Sequence, residues 1–414
     1  MPFVKDALYS YMAIDKAFEP LIDSLPVQRL RRIRQLAGTE YVYPGATHTR
    51  FEHSLGVMHL AGRLCDSLNA NAGEVVVPAQ DKRAVMIAAL LHDIGHGPFS
   101  HVFEKLYEAE QRNHEDITRW LITEELGQCL DRMGLDPIVI GKLATGQPVD
   151  KDRLFLGQIV AGTIDCDSLD YLVRDSYYTG AVVGNLDVQR ILLMTRVLGG
   201  NLAFDLKIGV PIIEGYFLLR VNSFKQIYFH KTSRSAQIMI YNALESKKEE
   251  FDLGVLEKPK DFLKWDDYTL WTTIQDDPFM VKLKRREMLK MVYEQVNSTG
   301  RRAASSRLTD AGIRRLEGEI AMRAGVGEKE VFIDLPYLST VPYAHATSFD
   351  PEDIPIVDVA DDGGMIVQKL SDISTLFSML KGYHNIIRVY TWPLHRDTVA
   401  RAARDVLGTN GNDV

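Results

Sequence analysis

The chain has 414 residues, 46% hydrophobic and 25% charged, the usage of a globular protein that buries a large core. Its formal charge of −8 speaks against non-specific binding to DNA or anionic membrane, so an anionic substrate must be drawn in by local charge. No window approaches the roughly 18 unbroken apolar residues of a membrane span, and the start, Met1-Pro2-Phe3-Val4-Lys5-Asp6, lacks the apolar stretch of a signal peptide. Cys65, Cys129 and Cys166 are far apart, without metal-ligand spacing, and read as buried thiols of a reducing, cytoplasmic compartment.

Residues 7–36 read as a pair of short helices, the second capped by Asp23 or Ser24 with Pro26 in its first turn. Leu30, Ile33 and Leu36 give that helix one buried edge, and Arg29, Arg31, Arg32 and Arg34 a basic face. Such a face is usually just solvated, but its nearness to the histidines that follow favours a role with an anion. Tyr41 to Ala46 is a short extended piece and a turn. His53, Val57, Leu60 and Leu64 then form a helical stripe. Arg50 stands one turn before His53, and Arg is the side chain suited to bidentate phosphate contact.

An apolar run from Ala84 to Leu91 ends in His92-Asp93, followed by Ile94-Gly95-His96-Gly97-Pro98-Phe99-Ser100-His101. If the helix continues through His96, His92 and His96 share one face, and Gly97-Pro98 ends it. Imidazoles and a carboxylate at the end of a core helix suit a borderline divalent metal such as Fe, Mn, Zn, Co or Ni. The bland alternative is a His-rich helix terminus making caps and dipole contacts. It would serve for one histidine and serves poorly for a cluster.

Val102 to Leu126 reads as helix and carries Glu104 and His114. Gly127 to Arg153 is punctuated by Gly and Pro and connects short helices. Leu154 to Asp175 reads as a helix that turns acidic, with Asp167, Tyr171 and Asp175 on one face. A surface stripe pairing with Arg174 is the alternative, weakened because Leu169, Leu172 and Val173 define a buried side next to it. Gly199-Gly200-Asn201 marks a hairpin. Ile212 to Leu244 reads as one long helix with Arg220, Tyr228, His230 and Lys231, and 251–325 as helical and locally basic. From Val331 the period changes to strands at 331–335, 366–370 and 386–390, with helices at Ser374 to Lys381 and Arg396 to Leu407, and a disordered tail after Gly408. The fold class is mainly α: a helical domain over 1–250, a helical extension over 251–325, and a small α+β domain over 326–414.

His53, His92, Asp93 and Asp167 thus come from three helices in the order H…HD…D. On these residues, with Arg50-Phe51-Glu52-His53, the 92–101 segment, Asp167 to Asp175 and Tyr228-Phe229-His230-Lys231, the sequence resembles the HD-domain metal-dependent phosphohydrolases. The resemblance runs over roughly residues 20–245 and is nearest to the deoxynucleoside triphosphate triphosphohydrolases, bacterial enzymes and the animal sterile-alpha-motif/HD enzyme among them. It implies an HD helical bundle with one divalent transition metal (Fe, Mn, Zn, Ni or Co), or Mg, held by His53, His92, Asp93 and Asp167. His96, Glu104 and His114 would surround the attacking water and leaving oxygen. Arg50 and His101 would contact the α-phosphate and Arg220 the outer phosphates. Gln35 would meet the sugar 3′-hydroxyl, Tyr171 and Asp175 the sugar, and Tyr228 the base. A 2′-hydroxyl would crowd Tyr171. The implied reaction is attack of metal-activated water at the α-phosphorus, giving deoxynucleoside and inorganic triphosphate.

Ser168 and Phe224 stand where the animal enzyme has a Lys and a His, and Glu104 where it has an Asp. Asp23, Gln28 and Arg31 match residues that read an activating guanine nucleotide there, whereas Pro2 and Phe3 do not complete that site. The implied partners are a nucleotide substrate, a nucleotide activator and further copies of the chain in a homodimer or homotetramer. Another nucleotide phosphohydrolase on the same metal site is the nearest alternative. A nucleic-acid-binding protein or nuclease using the 282–302 basic run is a different class, disfavoured by the acidic charge balance.

Overall fold

A computed structural model describes residues 2–104, 112–248, 258–299, 309–339, 347, 353–359 and 365–408. The tail after Gly408 and the residues between Glu104 and Arg112 lie outside these. The chain opens on a hairpin of β1 (Phe3–Asp6) and β2 (Ser10–Ala13), paired from Phe3 with Ala13 to Asp6 with Ser10, where helix was expected from residue 7. The Asp6 carboxylate accepts the Leu8 and Tyr9 amides at 2.8 and 3.0 Å, and Ser10 takes φ 62°, so local side-chain chemistry builds a turn instead. In α1 (Leu25–Arg29), Ser24 precedes the first turn and Pro26 lies in it, as expected. Leu30 and Ile33 are fully buried, but so is Arg29, which leaves the supposed basic face for the interior.

Thr49 and Glu52 form a capping box at the start of α2 (Arg50–Ala72), which ends on Gly73 at φ 67°. It packs against α3 (Ala79–Leu91). There the helix stops: His92 is its C-cap, and residues 92–100 are turns rather than a helix through His96. Gly95 lies so close to the next element that a Cβ would be 2.2 Å from the His114 carbonyl oxygen. A short helical turn at His101–Glu104 precedes α4 (His114–Trp120), which begins on an Asn113–Asp116 capping box and runs into a π turn at Leu121–Glu125. Then follow α5 (Gly127–Arg132) and α6 (Pro137–Ala144).

The helix expected over 154–175 is broken. One turn at Phe155–Gln158 is followed by α7 (Cys166–Thr179), whose Asp165 side chain accepts the Ser168 amide at 2.7 Å in a new capping box. After α8 (Val188–Met194) comes the hairpin read from Gly199-Gly200, β3 (Thr195–Leu198) with β4 (Asn201–Asp205). The long helix expected from Ile212 is two: α9 (Leu206–Ser223) and α10 (Lys231–Ser246), separated by a π turn at Phe224–Tyr228. Helices α11 (Asp267–Ile274) and α12 (Pro278–Lys284) follow.

Next stands β5 (Lys290–Thr299), a strand where helix was expected, then α13 (Asp310–Ala324). The last part comprises β6 (Val331–Asp334), β7 (Tyr337–Ser339), β8 (Pro355–Val359), β9 (Met365–Lys369), α14 (Thr375–Leu380), β10 (Tyr383–Thr391) and α15 (Arg396–Leu407). One sheet has the order β5-β10-β6, with β7 also on β10, and the other β3-β4-β8-β9, so the carboxy-terminal strands divide between two sheets. Val292, Ile320, Val331, Val389 and Val399 form a small second core between the first sheet, α13 and α15. The main core runs through the helices from Met12 to Tyr390. The architecture is therefore a mainly α protein, a helical bundle joined to a carboxy-terminal α+β part. No helix among the described residues is long and apolar enough to cross a membrane.

Candidate metal centre

Three elements deliver the cluster: α2 carries His53, the end of α3 carries His92 and Asp93, and the first turn of α7 carries Asp167. A ligand atom from each of His53, His92 and Asp93 lies within 4.8 Å of the others. The Asp167 Oδ1 is 3.0 Å from His53 Nε2 and 3.5 Å from His92 Nε2. Each imidazole is anchored by its far nitrogen, His53 Nδ1 on Asp170 Oδ2 at 2.7 Å and His92 Nδ1 on the Ala89 carbonyl at 2.8 Å. That places the proton on Nδ1 and turns both Nε2 lone pairs inward, the arrangement that metal-binding histidines use. Both Nε2 atoms are buried and have no well-directed hydrogen-bond partner, because Asp167 is close to them but off line. Two orphaned imidazole nitrogens facing two carboxylates fit a divalent cation, and His53, His92 and Asp93 could hold one. The Asp167 side chain is 35% exposed where His53 is 1%, so the group opens to solvent on one side.

The charges are arranged to keep the carboxylates ionised. Burial would raise Asp93, yet the Arg50 guanidinium, with Nη1 2.5 Å from Oδ2, and then His92 and His96 hold it well below the usual carboxylate range. Burial likewise opposes ionisation of Asp167, but His53 and His92 outweigh it. Burial also works against a charged His53, and Asp167 and Asp170 overcome this, pushing it up to about 10. A metal would displace that proton, which couples binding to pH. His96 goes the other way. Burial, Arg50 and His114 keep it neutral, and its ring stacks on His114 with centroids 4.1 Å apart. Glu104 Oε1 accepts both the amide and Nδ1 of His114 at 3.0 Å, so a carboxylate orients an imidazole beside the metal group.

The loop carrying these residues is held from all sides. Thr118 Oγ1 donates to the His92 carbonyl at 3.0 Å and accepts the Gly95 amide at 3.1 Å. Arg29 donates to the carbonyls of Ile94 and His96 at 3.2 and 2.8 Å. Phe99 and Ser100 sit at φ 50° and 52°, a left-handed conformation costly for non-glycine residues. It is stabilised by Asp267, which accepts the Phe99 and Arg34 amides at 2.8 and 2.9 Å, and by Arg50, whose Nη2 donates to Ser100 Oγ at 2.8 Å.

Burial pushes Asp267 up to about 6 from an ordinary 3.8, despite those two amides. Its contribution to stability is therefore full below about pH 4 and declines as pH rises through 6. An Asp267→Asn variant, which carries no charge, should compare progressively better with the parent between pH 4 and pH 7. Urea midpoints at the two pH values check this, and a gap that widens with pH would contradict it.

The remaining expected residues are placed as follows. Asp175 is closed in by His48 Nε2 at 2.7 Å and the Tyr228 hydroxyl at 2.6 Å, the latter presented by the π turn. Arg220 Nη1 donates to the Tyr171 hydroxyl at 2.6 Å, and its guanidinium lies 4.8 Å over the Phe224 ring. Gln35 Oε1 is buried with no partner among the described residues. The His101 side chain lies outside the described residues. Arg31 rests 3.5 Å over Phe51 and donates to Gln28 Oε1 at 2.9 Å, while Gln28 Nε2 donates to the Ile22 carbonyl. Asp23 is exposed on the turn before them. Ser168 is occupied in the cap of α7.

Sequence reasoning missed His48, Asp170, Arg29 and Arg174 as site residues. Asp170 and Arg174 carried the one available signal, an acid–base pair four apart in an apolar helix. They pair as that spacing suggests, but fully buried rather than on a surface stripe.

Comparison with known proteins agrees. The family described as HD domain matches residues 50–140, and that described as HD associated region matches 186–413. A deoxynucleoside triphosphate triphosphohydrolase SAMHD1 homolog from Dictyostelium discoideum is 33% identical over 317 residues, 72% of this chain and 61% of that protein. The uncharacterized protein YwfO of Bacillus subtilis is 35% identical over 261 residues, 60% of this chain and 57% of its own. The chain thus spans about three-fifths of the length of these curated relatives. Among solved structures, a hypothetical protein from Aquifex aeolicus superposes with a TM-score of 0.75 at 25% identity, covering 96% of this chain and 99% of that one. A phosphohydrolase from Bacteroides thetaiotaomicron gives 0.73 at 25% identity, covering 94% and 99%. With the HD motif at its converging helices and the associated region over its carboxy-terminal half, the chain belongs to the HD-domain family.

Proposed function

We propose that this protein hydrolyses deoxynucleoside triphosphates to deoxynucleoside and inorganic triphosphate, with a divalent metal held by His53, His92, Asp93 and Asp167. The observation that carries this reading is the face of α7. Asp167 stands at the metal group, Tyr171 bonds Arg220 one turn on, and Asp175 meets Tyr228 and His48 a turn further. A cation-binding group followed by Tyr171, then Asp175 with Tyr228, suits a phosphate, a sugar and a base in a row, with Arg220 beside Tyr171 for further phosphate. The metal supplies Lewis acidity, lowering the pKa of water and polarising a phosphoryl oxygen. In the reaction an oxygen–phosphorus bond forms at the α-phosphorus and the bond to the 5′-oxygen breaks; the water loses a proton and the 5′-oxygen gains one. His96, His114 and Glu104 exchange those protons. Arg50 and His101 take the α-phosphate, and Arg220 the outer phosphates. Gln35 offers its orphaned oxygen to the 3′-hydroxyl, Tyr171 and Asp175 meet the sugar, where a 2′-hydroxyl would crowd Tyr171, and Tyr228 meets the base. The D. discoideum relative's name points the same way. Asp23, Gln28 and Arg31 are proposed to read a nucleotide activator in a dimer or tetramer.

The test is direct. Purified protein with Mn²⁺ is offered each dNTP, NTP and NMP, and the products are resolved. Triphosphate released from dNTPs alone is expected. Orthophosphate released from monophosphates would make the protein a nucleotidase. No turnover, together with salt-sensitive DNA retention, would overturn the enzymatic reading.

A further inference from the structure

His53 is connected to the far amino terminus by an unbroken set of bonds. Its Nδ1 meets Asp170 Oδ2 at 2.7 Å, and Asp170 accepts three more donors: Arg174 Nε at 2.8 Å, Arg174 Nη2 at 3.0 Å and the Tyr9 hydroxyl at 2.8 Å. Arg174 Nη1 in turn donates to Asp6 Oδ2 at 2.9 Å. Asp170 and Arg174 are fully buried, and Asp6 nearly so. Asp6 divides its oxygens: Oδ1 builds the hairpin turn through the Leu8 and Tyr9 amides, and Oδ2 holds Arg174. The Tyr9 ring also packs on His59, with centroids 5.3 Å apart, on the helix that carries His53. Gly56 makes room for this bundle of charges. A Cβ there would stand 2.1 Å from Asp170 Oδ1 and 2.6 Å from Arg174 Nη2.

We propose that the amino-terminal hairpin is the outer support of the metal centre, with Asp6 and Tyr9 acting as positioning residues for His53 through Arg174 and Asp170. The inference rests on His53 being a metal ligand. A carboxylate saturated by four donors cannot swing, so it fixes the plane and tautomer of the imidazole it holds. Two of the pieces that immobilise it come from residues folded into a strand pair at the start of the chain. Removing the Asp6 charge weakens the anchor of the buried Arg174 Nη1, so that the guanidinium is held firmly only from the Asp170 side. Removing the Tyr9 hydroxyl takes away one of the four donors. The hairpin therefore sets metal affinity without touching metal or substrate.

The experiment uses the full chain, stripped with chelator and titrated with Co²⁺, whose d–d absorption reports both occupancy and geometry. Asp170→Asn is expected to weaken Co²⁺ binding by about 10–100-fold and to shift the d–d bands, with Asp6→Asn and Tyr9→Phe weakening it by about 3–10-fold each. Lys5→Ala, on the same hairpin but stacked outward on Tyr11, should bind as the parent does. Far-UV circular dichroism and thermal melting of each variant are run alongside. Tyr9→Phe lacks only one oxygen and serves if Asp6→Asn does not fold. Parent-like Co²⁺ affinity in Tyr9→Phe and in any folded Asp6→Asn overturns the inference and leaves the metal reading standing, as does equal weakening by Lys5→Ala. Absence of Co²⁺ binding by the parent overturns both.

Discussion

On the proposed reading, replacing His92 by alanine should abolish divalent-metal binding and lower nucleotide hydrolysis by at least about a thousandfold, since the Lewis acid would go with the ligand. His92 offers an oriented nitrogen: Nδ1 is spent on the Ala89 carbonyl, and Nε2 lies 3.4 Å from Asp93 Oδ1 and 3.5 Å from Asp167 Oδ1. Alanine leaves His53 facing two carboxylates, a three-donor set in which the acidic pair repels itself. The structural cost should be small by comparison, about 1 kcal/mol for one hydrogen bond at the end of α3. Metal content by atomic emission and turnover on the same preparation decide the matter. A variant that keeps both metal and rate would show that the ligand assignment is wrong.

Arg29→Met should be the most destabilising single change near the centre. The guanidinium is fully buried; it donates to the carbonyls of Trp265, Ile94 and His96 at 2.7, 3.2 and 2.8 Å and lies 4.6 Å over the Phe262 ring. Methionine fills the space but leaves three carbonyls, two of them in buried bonds, without that donor, at a cost on the order of 3–5 kcal/mol. Because two of those carbonyls belong to the loop of His96, kcat should fall while nucleotide KM changes little. Arg29→Lys should rescue poorly, since one ammonium cannot span three acceptors that a planar fork reaches. Urea unfolding and steady-state kinetics read both effects. An unfolding free energy within about 0.5 kcal/mol of the parent would contradict the packing argument.

Much of this centre was legible before any coordinates. Chelation and acid–base chemistry need particular residue types, and His92-Asp93 at the end of an apolar run stands out because such groups are expensive to bury unpaired. What the one-dimensional pattern missed depended on distant partners. Arg29 reads as part of a basic face that could meet an anion, because its carbonyl acceptors at His96 and Trp265 lie 67 and 236 residues away. Strand β5 reads locally as helix because its partner β10 begins far downstream at Tyr383. The first hairpin was hidden by a turn that Asp6 closes with its own side chain. The end of α3 at His92 and the break between α9 and α10 were hidden because close backbone approach at Gly95 and a π turn leave no period to read.

By itself, then, the sequence singled out the candidate ligand residues, the helical stripes on α2, α3 and α7, and the Gly-Gly hairpin, since each depends on neighbours within a turn or two. The family resemblance already implied that Asp167 joins His53 and His92; the tertiary structure alone decided that Asp170 is shared by Tyr9, Arg174 and His53 and that Arg29 turns inward. The reason is physical: a charge or an imidazole takes its state from whatever lies within a few ångströms, and here those neighbours arrive from remote stretches of chain.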